Sequence, residues 1–119
     1  MGDEPVLDES IVDGLRRLGD DVLAEIVRLW FDNLEPNLTA MRTALAADDS
    51  PALSAAAHTL RGSAANVGAA RLSAACAVLE ATAKSGDDPA SYPALLETVS
   101  TEATAAHVAM AGLAEETSG

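Results

Sequence analysis

Leu23, Val27, Trp30, Leu34, Leu38, Met41 and Leu45 recur at three- and four-residue intervals, with mostly polar residues between them. An α-helix, at 3.6 residues per turn, gathers such a set onto one side. A seam of this length cannot be left facing water, so other helices must cover it. The rest of the chain can supply them. Its apolar residues are mostly alanine and leucine, both strong helix formers. There is one Trp, one Tyr and one Phe, and strand-type alternation does not occur. The fold class that follows is all-α. Small side chains also let helices approach closely and leave little material to enclose a large ligand cavity.

Further segments repeat the pattern. Asp8 or Ser10 is placed to cap a short first helix carrying Ile11, Leu15 and Leu18, ending near Gly19. Asp20 and Asp21 suit the N-terminus of the long second helix, where carboxylates oppose the positive end of the dipole. Pro36 removes one hydrogen bond inside that helix and predicts a kink, not a break. Asp48-Asp49-Ser50-Pro51 reads as a turn, with Ser50 as N-cap and Pro51 as the first residue of the third helix. Gly68 closes that helix. Leu72, Ala75, Cys76, Leu79 and Ala83 form a fourth seam. Ser85-Gly86-Asp87-Asp88-Pro89 is a turn. A last helix starts near Ser91 to Pro93 and carries Leu95, Leu96, Val99, Ala103, Ala106, Met110 and Leu113, with Glu115 to Gly119 frayed beyond it. The expected architecture is an antiparallel up-and-down four-helix bundle with a short additional N-terminal helix. Residues 1–7 read as a flexible acidic tail and 8–117 as the bundle domain.

The net charge of −12 argues against nucleic acid or an anionic membrane as partner. No apolar run approaches membrane-spanning length, and the first residues lack the pattern of a signal peptide. A cytoplasmic monomer is expected. Cys76 cannot form an internal disulfide and reads as a small core residue. No Cys/His cluster has metal-ligand spacing. His107 falls at the edge of the last apolar stripe, a boundary histidine.

His58 is different. With Pro51 to Val67 as a helix, Leu53, Ala56, Ala57, Leu60, Ala64 and Val67 form the apolar stripe, and His58 lies roughly 160° from Leu60. It points outward among Ser54, Ala55, Arg61, Gly62 and Ala65, where only Arg61 is large. A mid-helix glycine costs about 1 kcal/mol relative to alanine; access of a partner surface to the imidazole would explain Gly62. Between Asp49 and Glu80 there is no acidic residue, which suits a site that must carry phosphoryl charge. A neutral imidazole is a competent nucleophile near pH 7. Arg61, at i+3, shares its face and can pair with phosphoryl oxygens.

His58-Thr59-Leu60-Arg61-Gly62-Ser63 resembles the signature of histidine-containing phosphotransfer (HPt) domains, in which His-x-Leu-Lys-Gly-Ser surrounds the phosphorylated histidine. The similarity continues through Ala64 to Ala69 and Leu72, Cys76, Leu79 and Glu80. Upstream, Phe31 to Leu45 followed by Asp48 looks like the family's preceding helix and turn. Arg61 stands where the family usually has lysine, a planar guanidinium for a compact ammonium.

The resemblance implies a phosphorelay intermediate and not a kinase. His58 would accept a phosphoryl group from a receiver-domain aspartate, through Nε2 as in the family, and pass it to another receiver. Response-regulator receivers and a hybrid sensor kinase are the expected partners. No cofactor is expected on this chain, since the receiver's carboxylates would supply Mg²⁺. Ser54, Ala55, Gly62 and Ala65 would form the docking surface around His58 and Arg61. Two alternatives stay open: the histidine domain of a chemotaxis-type kinase, charged by a separate ATP-binding domain, and a bundle that docks on receivers without being phosphorylated.

Overall fold

The computed structural model describes residues 4–118, with side chains through residue 113. Five α-helices follow in order: α1 Glu9–Arg16, α2 Asp20–Ala46, α3 Ser50–Asn66, α4 Ala70–Ser85 and α5 Tyr92–Ser118. A single 3₁₀ turn, Pro89–Ser91, leads into α5. Each long helix packs on its two neighbours around a ring, α2 on α3, α3 on α4, α4 on α5 and α5 back on α2. This is the antiparallel up-and-down bundle, with the short α1 outside it.

The seams meet in one core. Leu23, Met41, Leu53, Leu60, Leu72, Leu79, Val99 and Met110 are fully buried, and no polar or charged residue is buried among the described residues. In the second seam the last buried residue is Ala44, and Leu45 is only partly covered. α2 runs through Pro36 without interruption. α5 persists through Ser118, past the point where fraying was expected; Gly119 lies outside the described residues.

Local chemistry sets the helix ends. Asp8 caps α1, accepting from the Ser10 backbone N–H at 2.9 Å. That hydrogen bonding, first from the Ser10 side chain and then from its backbone, holds the Asp8 carboxyl below its ordinary value. The cap of α3 is Asp49, which accepts from the Ala52 N–H at 3.1 Å. Ser50, expected as that cap, is the first helical residue, and its hydroxyl instead meets the Tyr92 hydroxyl at 3.2 Å. A carboxylate one residue earlier reaches the same orphan donors, which frees the serine to tie α3 to α5.

Gly68 adopts φ +78°, a left-handed conformation in which a Cβ is strained. It reverses the chain between α3 and α4, while the Ala69 N–H reaches back to the Ala64 carbonyl at 2.8 Å. α1 lies against this reversal. The Asp8 N–H donates to the Gly68 carbonyl at 2.6 Å, and Ile11 covers Gly68 so closely that a Cβ there would sit 2.9 Å from the isoleucine Cβ. Ile11 and Leu18 are therefore not the inward face expected of α1; Val12 is its buried residue, and Leu18 is 57% exposed. Leu15, the third residue of the expected stripe, packs partly buried against the core, while Leu18 lies beyond the end of the helix. Of the first seven residues, 1–3 lie outside the described ones. Pro5 and Glu4 are hydrogen-bonded through their carbonyls to Arg71, from its backbone N–H at 3.1 Å and its Nε at 3.2 Å.

Candidate functional site: a histidine in the α3–α4 groove

α3 and α4 are antiparallel, and two cross-helix hydrogen bonds fix their register. Ser54 Oγ donates to the Glu80 carbonyl at 3.1 Å, and Ser73 Oγ to the Arg61 carbonyl at 3.3 Å. Cys76 is therefore level with His58, and Glu80 one turn along α4. The acid-free stretch between Asp49 and Glu80 does not yield an acid-free site. Folding the hairpin returns Glu80, 22 residues away in sequence, to 2.9 Å from His58 Nδ1.

The other carboxylate oxygen accepts from Arg61 Nε at 2.7 Å, and Arg61 Nη2 lies 3.0 Å from His58 Nδ1. Both contacts cannot be hydrogen bonds to one nitrogen of a neutral ring. A carboxylate can only accept, so its contact requires the ring proton on Nδ1. With the lone pair on Nδ1 instead, two acceptors would face each other at 2.9 Å. The lone pair is then on Nε2, which makes no hydrogen bond among the described residues. The His58 side chain is 64% exposed, Arg61 40% and Glu80 21%. Partial burial raises the Glu80 carboxyl, but the His58 hydrogen bond and the nearby Arg61 guanidinium outweigh it, leaving it below its ordinary value.

The other residues singled out in the sequence fall around this centre. Ala55, Gly62 and Ala65 are exposed on the His58 side of α3. Ser54 is half-buried with its hydroxyl turned to α4. A groove beside His58 is lined by Ser50, Ser54, Ala55, Glu80, Lys84 and Gly86, among others. An added Cβ at Gly62 would meet nothing within 4 Å, so the glycine is not required by packing within the chain. Cys76 is buried and its thiol is pushed up to about 12, by burial first and by Glu80 second, with Arg61 opposing. It is not a nucleophile at neutral pH. His107 is exposed and stacks on Phe31 with ring centroids 4.2 Å apart, away from this centre.

Glu80 is the residue that sequence reasoning did not place. It appeared only as the end of the acid-free stretch and as one matching position in the family resemblance. The available signal was partial: helix geometry puts Ser73, Cys76 and Glu80 on one stripe of α4, but not the height at which that stripe meets His58. Among the described residues no helix is long and apolar enough to cross a membrane, and no group of three or more His, Cys, Asp or Glu is placed to hold a metal ion.

Known proteins resemble this chain in sequence and in fold. The family model described as Hpt domain matches residues 25–114. The crystal structure of histidine-containing phosphotransfer protein B (HptB) from Pseudomonas aeruginosa PAO1 superposes with a TM-score of 0.88 at 27% identity, covering 94% of this chain and 96% of that one. The structure of a rice protein described as a putative histidine-containing phosphotransfer protein shares the fold, with a TM-score of 0.77 at 21% identity over 96% of this chain and 85% of its own. No curated protein sequence matches. With three-quarters of its length inside that family model, the chain belongs to the Hpt domain family and is a phosphorelay intermediate of two-component signalling.

Proposed function

We propose that His58 is the phosphoacceptor, that Nε2 is the attacking atom, and that Glu80 and Arg61 prepare it. The observation that carries this reading is the Nδ1–Glu80 contact at 2.9 Å on a histidine whose side chain is 64% exposed. The nucleophile faces solvent and its tautomer is held from behind. As Nε2 attacks the phosphorus of a receiver's aspartyl phosphate, the P–Nε2 bond forms and the P–O bond to the aspartyl carboxyl breaks. The aspartate leaves as a carboxylate. The proton on Nδ1 stays in place, and the positive charge that develops on the ring lies against the Glu80 carboxylate. Transfer to a second receiver reverses these steps.

Arg61 makes one contact with Glu80 through Nε and presents Nη2 beside the ring, where it can neutralise phosphoryl oxygens. Ala55, Gly62, Ala65 and the edge of Ser54 give the receiver a low surface to approach. Mg²⁺ would come from the receiver's own carboxylates. We read the chain as a carrier without kinase activity, acting as a cytoplasmic monomer with receivers and a hybrid sensor kinase as partners. Its net charge of −12 disfavours nucleic acids and anionic membranes.

The test uses receiver domains phosphorylated with acetyl phosphate and, separately, ATP with a purified sensor kinase. Acid-labile phosphate should appear on this protein from the receiver, and His58→Gln should abolish it. Uptake by His58→Gln at the wild-type rate overturns the assignment. Charging only by a kinase's ATP-binding domain would favour the chemotaxis-type alternative.

A further inference from the structure

Lys84 is the only lysine in the chain, and its position one turn beyond Glu80 on α4 should have cost it its freedom. A glutamate four residues before a lysine on an exposed helix is the favourable orientation for an ion pair. Here both Glu80 oxygens already hold other partners. Oε1 is taken by Arg61 and Oε2 by His58. Among the described residues no carboxylate lies within 4 Å of Lys84, whereas Arg28, Arg42, Arg61 and Arg71 each have an acidic partner. The side chain is exposed and lines the same groove as His58.

The register of the two helices places Lys84 level with Ser50. Eight residues of helix separate that level from His58, about 12 Å along the axis. Lys84 thus springs from α4 two turns from His58, one turn farther than Glu80, and lines the same groove. It stands at the edge of the surface that a docking receiver must cover.

We propose that Lys84 is the cation that recognises the receiver: it pairs with a carboxylate on the receiver surface bordering the phosphoryl site, and so selects acidic-rimmed receivers. This rests on the phosphotransfer reading above. The partner's chemistry follows from charge. This chain carries a net charge of −12, and a receiver must gather carboxylates to hold Mg²⁺. Two such surfaces repel unless cations lie between them. Arg61 is engaged by Glu80 and reserved for the phosphoryl group, which leaves Lys84 as the cation without a carboxylate partner in this groove among the described residues. A rim charge of this kind governs encounter and salt dependence more than the chemistry that follows.

The experiment measures transfer from acetyl-phosphate-charged receiver domains as a function of receiver concentration, at low and high sodium chloride. Lys84→Glu should raise the half-saturating receiver concentration about tenfold at low salt and leave the saturated rate within about twofold. The gap should shrink at high salt, and Lys84→Arg should behave as wild type. Identical concentration dependence in Lys84→Glu and wild type overturns the proposal while the phosphotransfer reading stands. A fall in the saturated rate with unchanged half-saturation also overturns it, since Lys84 would then act at the reacting atoms. If wild type takes no phosphate from any receiver, the phosphotransfer reading fails and this proposal with it.

Discussion

Gly62 lies in the interior of α3, one turn from His58, with an ordinary helical backbone and open space where a Cβ would stand. Stability alone therefore favours its replacement. Alanine in place of an exposed mid-helix glycine contributes about 0.8–1 kcal/mol. For a 119-residue domain, the unfolding entropy near the midpoint is about 0.25 kcal/mol per kelvin, so Tm should rise by about 3–4 °C. Gly62→Gln should gain most of this, because glutamine is also a good helix former. Transfer should move the other way. A glutamine side chain stands several ångströms above the surface on which the receiver must bring its aspartate to Nε2. A displacement of about 1 Å is enough to cost on the order of a hundredfold in rate. The methyl of Gly62→Ala should cost far less. Thermal unfolding and receiver-to-His58 transfer, measured on all three proteins, separate the two effects. Wild-type transfer in a folded Gly62→Gln protein refutes the access argument, and equal losses in alanine and glutamine variants show that side-chain height is not the cause.

Three other outcomes are expected. Arg61→Ala should slow transfer about ten- to a hundredfold, on the scale of 1.4 kcal/mol per decade, and Arg61→Lys should recover much of it; unchanged kinetics in Arg61→Ala would reduce the residue to a helix tie. Gly68→Ala should destabilise the fold by about 1–2 kcal/mol from its left-handed backbone, and further because the new Cβ meets Ile11 at 2.9 Å and the Asp8 carbonyl at 3.3 Å, a loss that denaturant titration would read. The Glu80 carboxyl is held below its ordinary 4.5 in the folded protein, so its contribution is complete above that value and disappears as pH falls through the lower folded one. The Tm gap between wild type and Glu80→Gln should therefore be present at pH 7 and close under acid conditions; a gap that does not narrow would count against the pairing.

The long seams were legible because period-3.6 apolar spacing has one physical meaning over many turns, and Leu23 to Met41 or Leu96 to Met110 leave no second solution. His58, Arg61 and Gly62 could be read for a related reason: all three lie within two turns of one helix, where angle and distance follow from position. Glu80 could not be found this way. Its contact with His58 depends on how α3 slides against α4, and that register is set by Ser54 and Ser73, whose hydroxyl directions no periodicity reveals. The cap at Ser50 failed on a smaller scale. Asp49 and Ser50 are both good caps in isolation, and the choice between them turned on Tyr92, which arrives from a helix begun 42 residues later. The inward face of α1 was legible only at Leu15, because a short helix on the flank of a bundle turns Val12 and Leu15 to the core and leaves Ile11 to cover Gly68.

Ser54 and Ser73 also determine how the chain can change. Each hydroxyl grips the main-chain carbonyl of a residue at the centre, Glu80 in one case and Arg61 in the other. The two helices behave like rulers pinned together at two marks, with His58 and Glu80 read off between the pins. Side chains of Glu80 and Arg61 can be exchanged without losing the pins, because the carbonyls remain. The hairpin between α4 and α5, from Gly86 to Asp88, plays no part in this alignment. Insertions there should leave the distance between ring and carboxylate untouched, so the chain is free to vary its ends and loops for different partners while the spacing of its reactive pair is inherited intact.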